Sequence, residues 1–290
     1  MFFVKDILAV VVIYKIKIAD CATLISLNAS ASSINEKLDV IVYDNSPGFT
    51  QTTSISYDNL NCYFIEDESN PGVSKAYNYA GVEGFKRGKK FLLLLDQDTY
   101  FPSNAISAYM EAVNAHCTQK LFCPILQTSK GIYSPLKYYF RRGTNWNDVK
   151  PGTYSLKNVS VLNSGILVDA GAFKSTGGYN ERIKLYFSDF DFINRFRRKY
   201  KYVVIVDLYC RHSLSDLDVQ DYDSAIKRFN YYVQGSYNSI LSFKDYLYLF
   251  VTIFLRSIKL SYRYKRMTFV NTFFKKYLLA RFFKIPLLLL

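Results

Sequence analysis

Short runs of consecutive apolar residues recur in the first hundred residues, and stretches with helical spacing separate them. Unbroken apolar runs of this length are typical of strands buried on both faces, as in a parallel sheet. Strand-like runs cover residues 7–14, 39–43, 62–65 and 91–95, and helix-like stretches cover residues 19–33, 73–85 and 102–117. This alternation predicts an α/β fold with a mainly parallel sheet that has helices on both faces. Farther along, the prolines and glycines of residues 120–160 indicate irregular structure, and a strand pattern returns over residues 159–168.

Polar residues follow two of these predicted strands directly. Asp44 and Asn45 come after the second strand, and Asp96-Gln97-Asp98 comes after the fourth. In parallel sheets the ligand binds at the carboxyl ends of the strands, so both clusters belong to a candidate site. Two carboxylates at i and i+2 can hold Mg²⁺ or Mn²⁺, which bridges a diphosphate. A solvated loop or a helix cap is the alternative explanation for the triplet.

Three further segments contain candidate functional residues. Asn70-Pro71-Gly72 precedes a predicted helix, where exposed N–H groups suit an anion or merely begin the helix. Asp189 precedes a predicted helix over residues 190–200, as a cap or as a general base. Asp191 and Arg195 on that helix are i,i+4 neighbours that can pair. His212, one of only two histidines, lies beyond a last predicted strand over residues 202–206.

The net charge of +13 is concentrated near the C-terminus. Residues 241–290 contain ten Lys or Arg and one Asp, so they contribute +9, and the other 240 residues contribute +4. From about residue 221 the sequence is helical in pattern, aromatic and basic. It predicts a tail that lies on an anionic membrane, with Leu255, Ile258 and Tyr262 on one helical face and basic residues on another, namely Arg256, Lys259, Arg263 and Arg266. Packing on the catalytic domain or a dimer contact is the alternative.

The five cysteines form no C-x-x-C pair, which indicates neither a disulfide framework nor a zinc site and favours a reducing compartment. The apolar N-terminal run lacks the basic flank of a signal peptide and is interpreted as a buried strand. No segment reaches the roughly 18 apolar residues of a membrane span. We therefore expect a cytoplasmic protein, peripheral on the inner face of the cytoplasmic membrane.

Several loose motifs occur in an order that resembles the family-2 glycosyltransferases, which have a GT-A fold, and especially their bacterial rhamnosyltransferase branch. The resemblance covers roughly residues 5–215 and rests on these segments: Tyr43-Asp44-Asn45-Ser46, Asn70-Pro71-Gly72 through Asn78, Asp96-Gln97-Asp98-Thr99, Asn163-Ser164-Gly165, Gly177-Gly178-Tyr179, Asp189-Phe190-Asp191 with Arg195, and His212. It implies a catalytic domain over residues 1–220, divided into a nucleotide-sugar half (1–118) and an acceptor half (119–220). Residues 221–290 form the helical tail.

The resemblance also implies a role for each matched residue. Asp189 is implied as the catalytic base of an inverting transfer, and Asp98 and His212 as ligands of Mg²⁺ or Mn²⁺. The implied donor-binding residues are Tyr14, Asp44, Asn45, Asn70, Gly72, Asn78, Asp96, Gln97 and Arg195, and the acceptor-side residues are Ser164, Gly165 and Asp191.

The implied partners are a nucleotide-sugar donor and a carbohydrate acceptor. The first expectation is transfer of L-rhamnose from dTDP-rhamnose, with a UDP-hexose or UDP-galactofuranose donor as the alternative. The acceptor is a cell-surface polysaccharide, such as an O-antigen or capsule, or a lipid-linked oligosaccharide. The oligomeric state stays open.

Other classes fit the sequence less well. A dinucleotide-dependent oxidoreductase needs G-x-G-x-x-G after the first strand, where the sequence has Tyr14-Lys15-Ile16-Lys17. A sugar nucleotidyltransferase needs a glycine-rich basic loop there. A non-enzymatic nucleic-acid or membrane-binding protein would explain the charge, but a nucleic-acid binder would carry it on the α/β domain. We therefore expect no nucleic-acid partner.

Overall fold

The computed structural model describes residues 2–50, 56–213 and 221–278. The chain divides into two compact units. The first comprises Met1–Glu181 and Asp189–Ser215, and the second comprises Arg182–Ser188 and Asp216–Leu290.

The first unit is an α/β domain. Its strands are β1 (Ile7–Ile13), β2 (Leu38–Asp44), β3 (Leu60–Glu66), β4 (Phe91–Asp96), β5 (Thr99–Tyr100), β6 (Leu121–Thr128), β7 (Gly131–Ser134), β8 (Leu136–Tyr139), β9 (Arg142–Asn145), β10 (Gly152–Ser155), β11 (Val159–Ser160), β12 (Ile166–Asp169) and β13 (Tyr202–His212). Its helices are α1 (Ala22–Ser33), α2 (Pro47–Thr50), α3 (Val73–Lys86), α4 (Ala105–Ala115), α5 (Ala170–Thr176) and α6 (Ser188–Lys199).

The main sheet has the strand order β10-β13-β6-β12-β4-β1-β2-β3, with β5 paired to β13 and β7 to β6. Strands β4, β1, β2 and β3 are parallel, whereas β12 is antiparallel to both β4 and β6. A smaller sheet has the order β11-β8-β9. The mainly parallel α/β sheet is the architecture that the sequence predicts.

Alternate residues of the central strands enter two separate hydrophobic clusters. In β1, Ile7 and Ala9 pack with residues of α1 and α4, whereas Leu8 and Val10 pack with residues of α3, α5 and α6. All seven residues of β1 are buried. Because successive side chains of a strand point to opposite faces, a strand covered by helices on both sides has no polar position. This explains the unbroken apolar runs.

Three sequence predictions about the elements differ from the structure. The strand predicted over residues 159–168 is divided into β11 and β12, because Ser164 (φ 25°) and Gly165 (φ 93°) turn the backbone between them. The strand predicted over residues 202–206 continues to His212, since its outer half pairs with β5 and β6. Residues 120–160, whose prolines and glycines indicated irregular structure, contain strands β6 to β11.

The second unit is helical. It contains α7 (Tyr222–Asn238), α8 (Phe243–Tyr264) and α9 (Thr268–Phe273), followed by a π-helical turn over Phe274–Leu278. The Asp221 side chain caps α7 and the Ser242 side chain caps α8, as short polar residues do at helix starts. Its buried residues include Phe229, Val233, Leu249, Ile253, Phe269 and Phe273. In the described part of the chain, no helix is long and apolar enough to cross a membrane.

Candidate active site

The acidic ends of β2 and β4 lie at the same edge of the main sheet. β1 lies between these strands, with Val12 paired to Asp96 and Ile13 paired to Asp44. Asp44 and Asp96 are therefore separated by two strand spacings, about 10 Å. This is the carboxyl edge of the parallel strands, where the sequence places the candidate site.

The Asp96-Gln97-Asp98 loop is held by hydrogen bonds to β1 and α1. Gln97 Oε1 accepts a hydrogen bond from the Tyr14 N–H (2.7 Å), and Gln97 Nε2 donates to the Tyr14 carbonyl (3.2 Å). The buried Thr23 hydroxyl lies 2.6 Å from the Asp96 carbonyl oxygen. The Gln97 side chain is thus bonded to the backbone of Tyr14, directly after β1, where it positions the loop. Thr23 was not among the predicted site residues, although a polar residue in the first turn of a buried helix is a usable signal.

Pairing of β5 with β13 brings His212 to Asp98. Thr99 is the antiparallel partner of His212, and its Oγ1 lies 2.8 Å from His212 Nδ1. His212 Nδ1 lies 3.5 Å from Asp98 Oδ1, and the imidazole stacks on Tyr133 with ring centroids 5.3 Å apart. The two residues implied as metal ligands are therefore neighbours. The two-residue strand β5 brings them together, and no pattern in the sequence predicts this strand.

The surroundings of Asp98 fit a divalent cation. Its Oδ1 is buried and accepts no hydrogen bond within the described residues. A buried carboxylate oxygen without a partner is costly, and a cation would satisfy it. The described segments contain no group of three or more His, Cys, Asp or Glu residues that could hold a metal. Asp98 and His212 are therefore the residues that would hold a cation here.

Asp96 is embedded in a small polar network. The Tyr77 hydroxyl donates to Asp96 Oδ1 (2.9 Å), and the Asp96 N–H donates to Ser164 Oγ (3.2 Å). Ser164 Oγ lies 2.6 Å from Thr99 Oγ1, which links this network to His212. Burial raises the pKa of Asp96, and the neighbouring Asp98 carboxylate raises it further. A positive charge between the two carboxylates would relieve both effects.

Asp189 lies in the first turn of α6 with a partly buried side chain. Its Oδ1 accepts a hydrogen bond from the Phe190 N–H (2.7 Å). The pKa of Asp189 is raised to about 7, chiefly by burial, and the Asp96 carboxylate contributes to the rise. The charge of Asp96, at the end of β4, therefore acts on the Asp189 carboxyl group of α6. A carboxyl group with a pKa near neutrality suits a general base.

Asp191 and Arg195 form a structural ion pair. Asp191 Oδ2 lies 2.9 Å from Arg195 Nε and 2.8 Å from Nη2, and the Asp191 residue is 1% exposed. Arg195 Nη1 donates to the Thr176 carbonyl (2.9 Å). These contacts match the i,i+4 pairing alternative. Asp191 Oδ1 is buried and accepts no hydrogen bond within the described residues. The donor role implied for Arg195 and the acceptor role implied for Asp191 stay predictions.

Asn78 fastens the Gly177-Gly178-Tyr179 turn to α3. Its Nδ2 donates to the Tyr179 carbonyl (2.9 Å) and to Glu181 Oε1 (2.8 Å), and its Oδ1 accepts from the Tyr179 N–H (2.7 Å). A Cβ at Gly178 would come within 2.4 Å of Asn78 Oδ1, which explains the glycine. The contacts of Asn78 hold this turn, and its implied place in the donor pocket stays a prediction.

The loop before α3 has the strained backbone of a tight turn. Asn70 has a φ of 45° and Gly72 a φ of 89°, and α3 begins at Val73.

Ser164 and Gly165, which the resemblance places on the acceptor side, contact the end of β4. Ser164 Oγ accepts a hydrogen bond from the Asp96 N–H. The Gly165 N–H donates to the Leu94 carbonyl (2.7 Å). These two residues shape the end of β4.

Asp44 and Asn45 have polar atoms that accept no hydrogen bond. Asp44 Oδ1 accepts from the Ser46 N–H (2.7 Å). Asp44 Oδ2 and Asn45 Oδ1 are buried and unpartnered within the described residues. The nearby Tyr14 ring is 41% exposed. Acceptor atoms beside an exposed ring suit a ligand with N–H donors and a flat face, as a nucleobase has.

No protein-family model matches the chain, and no curated protein matches it in sequence. Solved structures match its fold. The chain is similar to Staphylococcus aureus TarS 1–349 with a TM-score of 0.56 at 13% identity, over 98% of this chain and 75% of that one. TarS 1–349 in complex with UDP-GlcNAc gives a TM-score of 0.53 at 13% identity, over 97% and 76%. With UDP, the values are 0.54 at 13%, over 91% and 88%.

These similarities define the class of fold. The mainly parallel sheet with helices on both faces is the GT-A glycosyltransferase fold, as the sequence resemblance implies. At 13% identity the similarity concerns the fold, and the assignment of residue roles depends on the geometry of this chain's own site.

Proposed function

We propose that this protein is an inverting glycosyltransferase that uses a nucleotide-sugar donor. The observation that carries the proposal is the meeting of Asp98 and His212 beside Asp96 at the carboxyl edge of the sheet. The charge of Asp96 also acts on Asp189, which joins a potential base to this site. TarS, a structure of the same fold, was solved with UDP-GlcNAc, which supports a nucleotide sugar as the donor class.

In this proposal Asp189 is the general base. Its carboxylate takes the proton from an acceptor hydroxyl while the hydroxyl oxygen attacks C1 of the donor sugar. The bond between C1 and the diphosphate breaks with inversion, and the nucleoside diphosphate leaves. No covalent enzyme intermediate is required. The pKa of about 7 leaves a substantial share of Asp189 ionised at neutral pH while keeping it basic enough to take a proton.

Asp98 and His212 are the residues that would hold Mg²⁺ or Mn²⁺. When bound, the cation supplies positive charge that stabilises the departing diphosphate. Thr99 would set the orientation of the imidazole through its contact with Nδ1. Asp96, held by Tyr77, would face the ribose or the diphosphate.

Asp44, Asn45 and Tyr14 would contact the nucleobase, and the backbone at Asn70 and Gly72 would line the nucleotide pocket. L-rhamnose from dTDP-rhamnose is the first candidate donor, on the sequence resemblance. A UDP-hexose or UDP-galactofuranose is the second, and the complex of TarS with UDP-GlcNAc favours testing UDP sugars equally.

We also propose that the second unit binds an anionic membrane surface through α8. One side of this helix packs inside the unit through residues such as Leu249 and Ile253. The other side exposes seven large apolar residues, namely Phe243, Leu247, Tyr248, Val251, Leu255, Ile258 and Tyr262. It also exposes three basic residues, Lys244, Lys259 and Arg263, whereas the Arg256 guanidinium stacks on Tyr232 of α7. The only acidic residue of α8, Asp245, accepts a hydrogen bond from the Leu241 N–H (3.1 Å).

An outward apolar face flanked by basic residues fits anionic lipid headgroups, and each basic residue near such a surface contributes about 1 kcal/mol. A second copy of the chain fits less well, because α8 against α8 would bring basic residues together. Arg266 is not part of this face, contrary to the sequence prediction, because α8 ends at Tyr264 and Arg266 stacks on Tyr222. Residues 279–290 of the predicted tail lie outside the described residues. A membrane position would suit a lipid-linked or cell-surface polysaccharide acceptor.

The experiment that tests the enzymatic function is a donor screen. Thermal shift of the full chain is measured with dTDP-rhamnose, UDP-glucose, UDP-galactose, UDP-galactofuranose, UDP-GlcNAc and GDP-mannose, each with and without Mn²⁺. Release of the nucleoside diphosphate is then followed for the donors that bind. Binding of at least one donor, strengthened by Mn²⁺ and followed by turnover, is expected. A chain that binds anionic vesicles but no nucleotide sugar would instead be a non-enzymatic membrane-binding protein.

A further inference from the structure

The positive charge of the first unit is concentrated in its second half. Residues 1–118 contain nine Lys or Arg and thirteen Asp or Glu, so their formal charge is −4. Residues 119–181 and 189–215 contain fourteen Lys or Arg and six Asp or Glu, so their formal charge is +8. The sequence resemblance assigns this second half to the acceptor. An excess of charge of this size attracts ligands of the opposite sign.

Arg197 of α6 is a partly buried cation without an anionic partner. Its guanidinium lies over the Tyr138 ring of β8, 4.6 Å from the ring centroid, and Nη2 donates to the Val159 carbonyl (3.4 Å). Its Nε is buried and donates no hydrogen bond within the described residues, and no carboxylate among them forms an ion pair with it. Burial lowers the pKa of Arg197 to about 10, and the nearby Arg141 charge contributes. A bound anion would offset both effects.

Capping of α6 does not explain Arg197. Basic side chains in a last turn commonly bond the final carbonyl oxygens of their helix. At the end of α6 Lys201 does this, since its Nζ donates to the carbonyls of Arg197 (3.0 Å) and Arg198 (2.9 Å). Lys199 Nζ bonds to the Ser175 carbonyl of α5. The Arg197 side chain instead lies against β8, so its charge has no part in ending the helix.

Tyr138 connects Arg197 with the proposed base. The Tyr138 ring stacks on Phe190 with centroids 5.4 Å apart, and its hydroxyl accepts a hydrogen bond from Asn194 Nδ2 (2.9 Å). Phe190, Asn194 and Arg197 therefore lie on the side of α6 that faces β8, and Asp189 directly precedes Phe190. Arg197 comes eight residues after Asp189, which is about 12 Å along the helix axis. A glycan of a few sugar units spans this distance.

We propose that Arg197 binds an anionic group of the acceptor glycan, either a phosphate or the carboxylate of a uronic acid. The planar guanidinium binds an oxyanion through charge-assisted hydrogen bonds, which are stronger than those to a neutral hydroxyl. The exposed Arg198 adds a second positive charge in the same turn. With its anionic group at Arg197, the acceptor would extend along α6 and present a hydroxyl to Asp189. The inference rests on the proposed function and adds the charge of the acceptor to it.

Three variants and one control test this role. Arg197→Gln removes the charge, and it should fold because no carboxylate loses an ionic partner. Arg197→Lys keeps the charge without the planar fork. Arg198→Gln removes an exposed charge of the same surface, should Arg197→Gln fail to fold. Arg87→Gln is the matched control, because the Arg87 guanidinium also stacks on a tyrosine, Tyr63 (3.9 Å), but lies 3.6 Å from Glu83.

Binding of fluorescently labelled trisaccharides to the full chain is measured without a donor. The probes are neutral trisaccharides of glucose, galactose and mannose, the same trisaccharides with a 6-phosphate, and trigalacturonate. We expect at least one charged probe to bind more tightly than the neutral trisaccharide of the same sugar, and high salt to weaken its binding. The phosphate and uronate probes distinguish the two kinds of anionic group.

Arg197→Gln should weaken binding of the preferred charged probe about tenfold, which corresponds to about 1.4 kcal/mol for a charge-assisted contact. Arg197→Lys should weaken it less than Arg197→Gln does. Arg198→Gln should weaken it about threefold, because its charge is exposed and screened. Arg87→Gln should bind as the wild type does.

Unchanged affinity of Arg197→Gln and Arg198→Gln for every charged probe would overturn the inference. So would a wild type that binds no charged probe more tightly than a neutral one, or that binds a single-stranded oligonucleotide more tightly than any trisaccharide. If the wild type binds charged trisaccharides through Arg197 but turns over no nucleotide sugar, the proposed function fails and the anion site remains. If it turns over a nucleotide sugar but prefers neutral trisaccharides, only this inference fails.

Discussion

His212 Nδ1 lies 3.5 Å from Asp98 Oδ1, although the two residues stand far apart in the sequence: Asp98 lies in the turn between β4 and β5, and His212 ends β13. The contact depends on the antiparallel pairing of Thr99 with His212, which joins the loop after β4 to the last strand of the sheet. Both candidate metal ligands are thereby positioned by backbone hydrogen bonds, so removing one side chain should leave the local structure intact.

Asp98→Ala should therefore abolish turnover that depends on Mg²⁺ or Mn²⁺ while the fold survives. The physical reason is the loss of the buried carboxylate oxygen that lacks a hydrogen bond, which is the candidate ligand. Initial rates are measured across a metal titration, with circular dichroism as the control for folding. Full activity of this variant in the presence of EDTA would end the metal-dependent mechanism.

Asp189→Asn should retain nucleotide-sugar binding and lose transfer by about 10²–10⁴-fold, the usual contribution of a general base. The amide occupies the same volume but cannot take a proton. Donor affinity by calorimetry and transfer rate are compared with those of Asp191→Asn. If Asp191→Asn is inactive while folded and Asp189→Asn is active, the wrong carboxylate has been assigned.

The rate should rise with pH up to about 7 and then level, because Asp189, with a pKa of about 7, must be ionised to accept a proton. The raised pKa has a second consequence. The folded state holds this proton more tightly than the unfolded state, so the contribution of Asp189 to stability is lost as the pH rises through about 7. Asp189→Asn should thus be more stable than the wild type at about pH 8. The pH profile of kcat/KM checks the predicted rate, and urea unfolding at two pH values checks the predicted stability. A rate that is flat from about pH 5 to about pH 9 would contradict the assigned base.

Arg195→Ala should cost about 3 kcal/mol of the free energy of unfolding, because it leaves the buried Asp191 carboxylate without its ionic partner. The double variant Arg195→Ala with Asp191→Asn should recover part of this loss, since no unpaired charge then remains. Urea unfolding measures both. If Arg195 instead contacted the donor, the single variant would keep its stability and raise the donor KM.

Val251→Glu should weaken binding of the full chain to phosphatidylglycerol vesicles by about fivefold, because one negative charge in the exposed face of α8 opposes an anionic surface by about 1 kcal/mol. The matched control is Val82→Glu on α3, since these valines are 54% and 56% exposed. Co-sedimentation measures binding, and donor hydrolysis should be the same in both variants. Deletion of residues 241–290 should remove binding and spare donor hydrolysis. If co-sedimentation with the vesicles is unchanged in both Val251→Glu and the deletion, α8 is not the membrane contact.

The sequence by itself determined the class of fold and the edge of the sheet that carries the candidate site residues. Strands such as β1 and β4 are buried on both faces, so their period is visible as unbroken apolar runs. The polar residues at their ends follow directly, since a parallel sheet collects its carboxyl ends on one edge. These are local signals, and they placed Asp44 and Asp96 correctly.

Only the tertiary structure decided which polar side chains bond to other groups of the protein and which keep atoms without a hydrogen bond. Gln97 bonds to the backbone of Tyr14, Asn78 to the Tyr179 turn and Arg195 to Asp191, whereas Asp98 has a buried carboxylate oxygen that accepts no hydrogen bond within the described residues. The type of a residue does not reveal which of these contacts its side chain makes. A side chain's partners depend on strand register, on short pairings such as β5 with β13, and on the packing of helices against the sheet. Those are settled by the free energy of the whole fold and leave no periodic pattern in the sequence.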